Sequence, residues 1–266
     1  MCATCGCSDD AGVRVSTLAG EAPGHAHDHD HAHVHDHAHD HAHAHEHPHP
    51  ATETIAIEQD LLAKNDLLAA HNRGWLAGRG IVALNVMSSP GAGKTTLLVR
   101  TITELVEDVP VAVIEGDQET LLDADRIRTT GSPVVQINTG AGCHLDADML
   151  RRGLDSLDPA AGSLLFIENV GNLVCPALFD LGEAAKVVII SVTEGDDKPL
   201  KYPHMFAAAD VVVINKSDLL PYVEFDVEKC IQQAKQLNPD VEVMVISATV
   251  GDGLDQWRSW LAAQMT

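Results

Sequence analysis

The stretch Ser88-Ser89-Pro90-Gly91-Ala92-Gly93-Lys94-Thr95 follows an apolar run at 81–87 and opens an amphipathic segment. In this context, loop N–H groups cradle phosphate oxygens and the lysine meets the β and γ oxygens. The stretch departs from the Walker A pattern only at Ser88, where the pattern has its first glycine. We therefore predict a phosphate-binding loop, rather than a glycine-rich turn without a ligand, in which Lys94 also acts in catalysis and Thr95 ligates Mg²⁺. The predicted nucleotide-binding residues here are Gly91, Ala92, Gly93, Lys94, Thr95 and Thr96.

Short β-branched runs alternate with amphipathic stretches from Ile81 to the end of the chain. The runs expected to be strands are 81–87, 111–115, 134–138, 164–168, 187–192, 211–215 and 241–247, and a last helix is expected at 254–264. Such alternation is typical of a parallel sheet covered by helices. The sequence therefore predicts a doubly wound, mostly parallel α/β domain over residues 81–266, of the P-loop NTPase type.

Two later motifs indicate the base. Asn215-Lys216-Ser217-Asp218 matches the NKxD pattern after one strand, and Ser247-Ala248-Thr249 lies at the end of another. The Asp218 carboxylate can accept hydrogen bonds from N1–H and the N2 amine of guanine, neither of which adenine offers. A missing hydrogen bond to a charged group costs roughly 1.5–3 kcal/mol, so we expect GTP and GDP to be preferred over ATP. The predicted base-binding residues are Asn215, Lys216, Asp218, Ser247 and Ala248.

Two acidic residues complete the predicted nucleotide site. Glu168 stands where GTPases carry the DxxG motif, and Gly171 follows three residues later. The Glu168 carboxylate could hold Mg²⁺ through water while the Gly171 N–H senses the γ-phosphate. Asp117 follows the second strand and is the other candidate for Mg²⁺ binding or for positioning water, although it could instead, or also, cap the next helix. We expect both acids to act in catalysis, and the sequence leaves open which dominates Mg²⁺ binding.

Residues 1–50 differ in composition from the rest of the chain. Every odd position from 25 to 49 is histidine, which makes a low-complexity tract with metal-binding side chains and few aliphatic ones. We expect this tail to be disordered without metal. The predicted metal ligands in the tract are His25, His27, His29, His31, His33, His35, His37, His39, His41, His43, His45, His47 and His49.

Cys2, Cys5 and Cys7 place three thiols within six residues. If Met1 is removed, the amine of Cys2 could be a fourth ligand. Three sulfurs and one nitrogen suit square-planar Ni²⁺, although Zn²⁺ accepts similar ligands tetrahedrally. A redox CxxC is the alternative, but that motif normally opens a helix after a strand, and no such context surrounds these cysteines.

A helical pattern links the tail to the α/β domain at 51–80. Ile57, Leu61, Leu68 and Trp75 recur at four- and seven-residue spacings, and Gly78 and Gly80 follow as helix stops. We expect this helix to pack against the main domain.

A second group of thiol and imidazole ligands is predicted inside the α/β domain. Cys143 and His144 follow a glycine-rich turn, and Cys175 lies seven residues after Glu168. Each could be structural alone, but together they predict a transition-metal site tied to the γ-phosphate sensor. Cys230 has the spacing of a core residue in a helix, and His71 and His204 receive no role.

Overall charge narrows the classes of function. The formal net charge is −22 with a pI near 4.9, and no basic cluster offsets it, so nucleic acid is an unfavourable partner. The first residues lack a basic n-region and a long apolar run, and no later run is long enough to span a membrane. We therefore expect a cytoplasmic protein, whose six cysteines act as thiols or metal ligands in a reducing compartment.

Eight segments together resemble the HypB family of hydrogenase-maturation GTPases. They are the N-terminal CxxCGC, the histidine tract, SSPGAGKT (88–95), EGDQET (115–120), GCHLD (142–146), ENVGNLVCP (168–176), EGDDKPLKYP (194–203) and NKSD (215–218). The resemblance implies a SIMIBI-class fold, slow GTP hydrolysis, and a homodimer that depends on nucleotide or metal. It also implies cooperation with a HypA-like zinc protein and nickel delivery to the large subunit of [NiFe] hydrogenase. The family's two metal sites fall on Cys2, Cys5 and Cys7 and on Cys143, His144 and Cys175.

Three other functions compete with this interpretation. The urease nickel GTPase UreG shares the P-loop class, but CxxCGC and the separate GCH and NLVCP elements are against it. Nickel storage or detoxification is supported by the histidine tract as a second role. A signalling or translational GTPase needs no thiol sites.

Overall fold

The computed structural model describes residues 14–17, 51–105, 107–117, 122–140 and 142–266. Its centre is an eight-stranded sheet with the order β1-β4-β3-β5-β2-β6-β7-β8. The strands are β1 (Arg14–Thr17), β2 (Val82–Ser88), β3 (Val111–Asp117), β4 (Val134–Asn138), β5 (Leu164–Glu168), β6 (Ala185–Ser191), β7 (Val211–Asn215) and β8 (Glu242–Val245). Strands β2 to β8 run parallel, and β1 pairs antiparallel with β4 at one edge. The predicted mostly parallel sheet is confirmed.

Helices cover both faces of the sheet, because its central strands are apolar on both sides. The helices are α1 (Ala51–Gly78), α2 (Lys94–Leu105), α3 (Leu122–Arg128), α4 (Ala147–Leu157), α5 (Lys198–Lys201), α6 (Pro203–Ala208), α7 (Val227–Leu237) and α8 (Leu254–Gln264). On one face α2, α3 and α8 share a core cluster with the strands, with Leu97 and Trp257 fully enclosed. On the other face α1 and α4 form one cluster, and α6 and α7 form another. This is the doubly wound arrangement predicted.

Seven of the eight strands were predicted from the sequence. The runs 134–138, 164–168 and 211–215 and the helix 254–264 have the predicted bounds, and the other strands differ by one or two residues at their ends. Strand β1 was not predicted, because Arg14–Thr17 is too short to show a period within the tail. The expected disorder of the histidine tract concerns residues outside the described ranges.

Helix α1 packs on the domain, as predicted, with Trp75 against a core cluster. Leu61 is 51% exposed, whereas Asn65 and Asn72 are buried. Asn72 Nδ2 donates to the carbonyls of Ala147 (2.8 Å) and Leu181 (3.1 Å), and Asn65 Oδ1 accepts the Ala147 N–H (2.9 Å). Hydrogen bonds to distant backbone groups offset the burial of these amides, although Asn72 Oδ1 has no partner among the described residues. The predicted helix and its end at Gly78 are confirmed, whereas Leu61 of the apolar pattern faces solvent.

The parallel arrangement decides where functional groups meet. Strands β2, β3, β5 and β7 all end at the same edge, so the loops that follow them lie side by side. Across the described residues, no helix combines the length and the apolar character that crossing a bilayer requires.

Candidate nucleotide and metal site

The glycine-rich loop joins the end of β2 to the start of α2. Gly91 and Gly93 have φ angles of +74° and +94°, which L side chains rarely adopt. A Cβ at Gly93 would lie 2.5 Å from Asn215 Nδ2, so only glycine fits there. Asn215 Nδ2 donates to the Ala92 carbonyl (2.9 Å) and Lys216 Nζ to the Gly91 carbonyl (2.6 Å). The predicted base motif is thus hydrogen-bonded to the predicted phosphate loop.

Glu168 gathers the two side chains that a magnesium nucleotide would use. It ends β5, is fully buried, and its Oε1 accepts from Lys94 Nζ (2.7 Å) and Thr95 Oγ1 (2.6 Å). Its Oε2 is buried without a partner among the described residues. Carboxylate and hydroxyl oxygens are the ligands Mg²⁺ prefers, so Thr95 and Glu168 fit a magnesium ion. Lys94 balances the buried charge of Glu168.

Glu115 is a second buried carboxyl beside this site, and the sequence analysis gave it no role. It pairs in register with Glu168 across β3 and β5, and its Oε2 has no described partner. Burial raises the pKa of Glu115 to about 9, and the Glu168 charge acts in the same direction. The only sign of Glu115 in the sequence was an acidic residue near the end of an apolar strand. Its position beside Glu168 depends on the register of the sheet.

The raised pKa of Glu115 predicts a pH-dependent effect of Glu115→Gln on stability. The unfolded chain ionises this group near pH 4.5, whereas the folded chain keeps the proton to about pH 9. Because the folded state binds more protons in this window, the free energy of unfolding falls as pH rises. Glutamine mimics the protonated form without ionising. We expect Glu115→Gln to be more stable than the parent at pH 8.5, by about 1 kcal/mol or more, or roughly 2–4 °C in Tm.

Thermal unfolding of both proteins, without nucleotide or Mg²⁺, checks this expectation. The stability difference should grow from pH 6 to pH 8.5. A difference that is the same at both pH values would show that Glu115 does not hold a proton in the folded chain.

The remaining phosphate-site residues are placed as follows. Asp117 ends β3, next to the strand that carries Glu168, and its carbonyl accepts the Thr139 N–H (2.9 Å). The predicted helix cap at Asp117 concerns residues 118–121, which lie outside the described ranges. The Thr96 hydroxyl accepts from Arg126 Nη2 (2.9 Å). Gly171 lies against the loop, since a Cβ there would be 3.5 Å from Pro90.

The two predicted guanine motifs meet at the ends of β7 and β8. Asn215 Oδ1 accepts the Ala248 N–H (3.0 Å), and Ser247 Oγ donates to Asp218 Oδ1 (2.5 Å). Lys216 adopts a left-handed backbone with φ of +62°, which turns the chain after β7. The structure therefore brings the five predicted base-binding residues into one group that also touches the phosphate loop.

Cys143, His144 and Cys175 form the one group of three or more potential metal ligands found among the described residues. Their ligand atoms all lie within 4.8 Å of one another, and Cys143 Sγ is 3.7 Å from His144 Nδ1. Burial lowers the pKa of His144, against the opposing charge of Asp146, which favours the neutral imidazole that binds metal. The Phe179 ring packs on the imidazole with centroids 4.0 Å apart. This donor set suits Ni²⁺ or Zn²⁺.

Other cysteines and histidines lie apart from this cluster. Cys230 is buried in α7, as expected of a core residue, and burial raises its pKa to about 12. His71 and His204 are exposed. Cys2, Cys5, Cys7 and the histidines at 25–49 fall outside the described ranges, so the predicted sites there remain predictions.

The glycine-rich loop at the end of a parallel strand, beside an acidic strand end and a guanine motif, defines a P-loop GTPase fold of the SIMIBI class. The family described as CobW/HypB/UreG, nucleotide-binding domain, matches residues 82–245. The Escherichia coli K12 hydrogenase maturation factor HypB is 59% identical over 210 residues, covering 79% of this chain and 72% of its own. The Azotobacter vinelandii factor of the same name is 60% identical over 210 residues, covering 79% and 69%. The chain therefore belongs to the HypB family of hydrogenase maturation factors.

Two solved structures of the same family resemble this chain. HypB from Archaeoglobus fulgidus has a TM-score of 0.72 and 42% identity, covering 77% of this chain and all of its own. HypB from Helicobacter pylori, solved in complex with nickel, has a TM-score of 0.71 and 39% identity, covering 76% and 95%.

Proposed function

We propose that this protein hydrolyses GTP to GDP and phosphate with Mg²⁺, and that it binds nickel and delivers it into the large subunit of [NiFe] hydrogenase during maturation. One observation carries the proposal. The segment from Glu168 to Cys175 starts at a carboxylate that is hydrogen-bonded to Lys94 and Thr95. It ends at a thiol of the cysteine and histidine cluster. The nucleotide and the metal would therefore act on the two ends of one short segment.

Four side chains have distinct roles in the proposed hydrolysis. Lys94 would stabilise charge on the β and γ oxygens, while Thr95 and Glu168 hold Mg²⁺, Glu168 through water. Asp117 would take part in Mg²⁺ binding or position the attacking water. The bound ion would supply charge stabilisation to the transferring phosphoryl group.

The proposed base preference predicts the outcome of Asp218→Asn. Asparagine can donate to a carbonyl but cannot accept two N–H bonds as a carboxylate does. We expect GTP affinity to fall by about 10–100-fold, which corresponds to roughly 1.5–3 kcal/mol for hydrogen bonds to a charged group. Xanthosine triphosphate, which has a carbonyl where guanine has its amine, should bind the variant better than the parent. Competition binding with both nucleotides measures this, and unchanged GTP affinity would contradict the role of Asp218.

The proposed nickel site predicts a selective effect of Cys175→Ser. Serine removes one of three ligands, and we expect nickel affinity at the cluster to fall by at least about 10–100-fold, the loss known from weaker disturbances of metal sites. Cys230→Ser is the matched control, because this thiol is buried in α7 away from the cluster. Thiolate-to-nickel absorption in protein with Cys2, Cys5 and Cys7 changed to serine measures both. Equal affinities for the two variants would make Cys175 a structural thiol.

We further propose the partners and setting that the family implies: a HypA-like zinc protein, a homodimer that depends on nucleotide or metal, and the cytoplasm. Zn²⁺ could occupy the same thiol sites. The delivery itself is tested by mixing nickel-loaded protein with nickel-free large subunit and GTP or a non-hydrolysable analogue. Nickel incorporation only with GTP supports the proposal, and equal incorporation without nucleotide contradicts it.

Nickel storage is a second proposed role, based on the histidine tract. Removing residues 25–49 should abolish most bulk nickel capacity. If incorporation into the large subunit persists in this variant, storage is separate from delivery.

A further inference from the structure

Two asparagine side chains of the segment 168–175 hold the backbone next to Cys143 and His144, and neither is a predicted nucleotide or metal ligand. Asn169 is 1% exposed, and its Oδ1 accepts the N–H of Leu145 (3.1 Å), the residue after His144. Asn172 Nδ2 donates to the carbonyl of Cys143 (3.2 Å). The adjacent ligands Cys143 and His144 are therefore held on both sides by amides from the segment 168–175.

Each of these two side chains makes a further hydrogen bond, which for Asn169 reaches the strand before the phosphate loop and for Asn172 stays within the segment. Asn169 Nδ2 donates to Asn85 Oδ1 (3.2 Å), and Asn85 lies on the strand that leads into the phosphate loop. Asn172 Oδ1 accepts the N–H of Val174 (2.8 Å), next to Cys175. Each amide thus uses both its donor and its acceptor, so a shift of the segment 168–175 would move the backbone at Cys143 and Leu145.

A bound nucleotide has to disturb this segment at its start. Lys94 and Thr95 both donate to Glu168 Oε1, yet both are the groups that phosphate and Mg²⁺ would engage. Taking these donors from a fully buried carboxylate requires Glu168 to find other partners, and Asn169 is the next residue. Gly171 lies against Pro90 of the loop, so the segment contacts the nucleotide site at two points.

We infer that Asn169 and Asn172 are positioning residues that transmit the nucleotide state to Cys143 and His144. This inference rests on the proposed function, because it concerns how that function's two sites communicate. Neither asparagine belongs to the group of potential ligands. A ligand shifts such an equilibrium only by binding two states differently, so the amides must hold the cysteine and histidine differently in the GTP and GDP states.

Asn172→Asp tests the inference with little change in shape. Aspartate keeps the acceptor for the Val174 N–H but cannot donate to the Cys143 carbonyl. Asn138→Asp is the matched control, because it adds the same charge at the base of the loop that carries Cys143 and His144. It also keeps the acceptor for the Gly140 N–H (2.7 Å). Asn172→Ala removes the donor without adding charge. All variants are made in the full-length chain with Cys2, Cys5 and Cys7 changed to serine.

Nickel is titrated into each protein with GDP and with a non-hydrolysable GTP analogue, and thiolate-to-nickel absorption reports binding at Cys143 and Cys175. The readout is the ratio of the two nickel affinities, since a purely structural change would alter both alike. We expect a ratio of about 5–150 in the serine parent and in Asn138→Asp. In Asn172→Asp and Asn172→Ala the ratio should fall to within about twofold of one, with nickel still bound.

Two outcomes overturn the inference: a parental ratio kept in both Asn172 variants, or a parental ratio of one. The proposed function fails separately, if the parent shows no nickel–thiolate absorption or hydrolyses no GTP. These results come from the same samples, so the two failures are distinguishable.

Discussion

Lys94→Ala is expected to reduce the rate of GTP hydrolysis by about 10²–10³-fold or more, the loss seen when one preorganised charge-stabilising group is removed. The lysine is held in place before nucleotide arrives, with Nζ 2.7 Å from Glu168 Oε1 at the start of α2. Alanine leaves no cation to stabilise the developing negative charge. It also leaves the buried Glu168 carboxylate with only the Thr95 hydroxyl as a described donor.

Loss of the ion pair with Glu168 could also destabilise the fold, because an uncompensated buried charge costs about 3–5 kcal/mol. Thermal unfolding of the variant therefore accompanies steady-state hydrolysis. Lys235→Ala is the control, since Lys235 is an exposed lysine on α7. Nickel binding at the cysteine and histidine cluster should persist in folded Lys94→Ala protein. Hydrolysis at the parental rate would contradict the assignment of the phosphate loop.

Features of this protein that depend on local patterns were predictable from sequence. The strand 211–215 and the helix 254–264 were predicted to the residue, because β-branched runs and apolar periodicity are properties of neighbouring residues. The glycine-rich loop was recognisable for the same reason. The cluster at Cys143, His144 and Cys175 was predicted by residue type, and the fold brings the ligand atoms within 4.8 Å.

Features that depend on distant contacts were missed. No sequence pattern indicated that Asn65 and Asn72 are buried, because their hydrogen bonds reach the distant backbone at Asp180, Ala147 and Leu181. Sheet register alone puts Glu115 beside Glu168. No sequence pattern indicated a role for Asn169, which lies between Glu168 and Gly171. Its hydrogen bond with the Leu145 N–H depends on how distant parts of the chain pack.

The central claim is that nucleotide and nickel act on each other through the segment from Glu168 to Cys175. Six residues lie between these two positions, and the hydrogen bonds of Asn169 and Asn172 tie the segment to the backbone around Cys143 and His144. Coupling free energies of this kind are typically 1–3 kcal/mol, which corresponds to about 5–150-fold in affinity. Because linkage is reciprocal, nickel must change the relative affinity for the two nucleotides by the same factor.

The most direct test is to measure the affinity of the cluster for nickel twice in the same protein, once with GDP and once with a non-hydrolysable GTP analogue, with Cys2, Cys5 and Cys7 changed to serine. The account predicts that the two affinities differ by about 5–150-fold, and that nickel changes the affinity ratio of the two nucleotides equally. Equal nickel affinities in the two nucleotide states would contradict it.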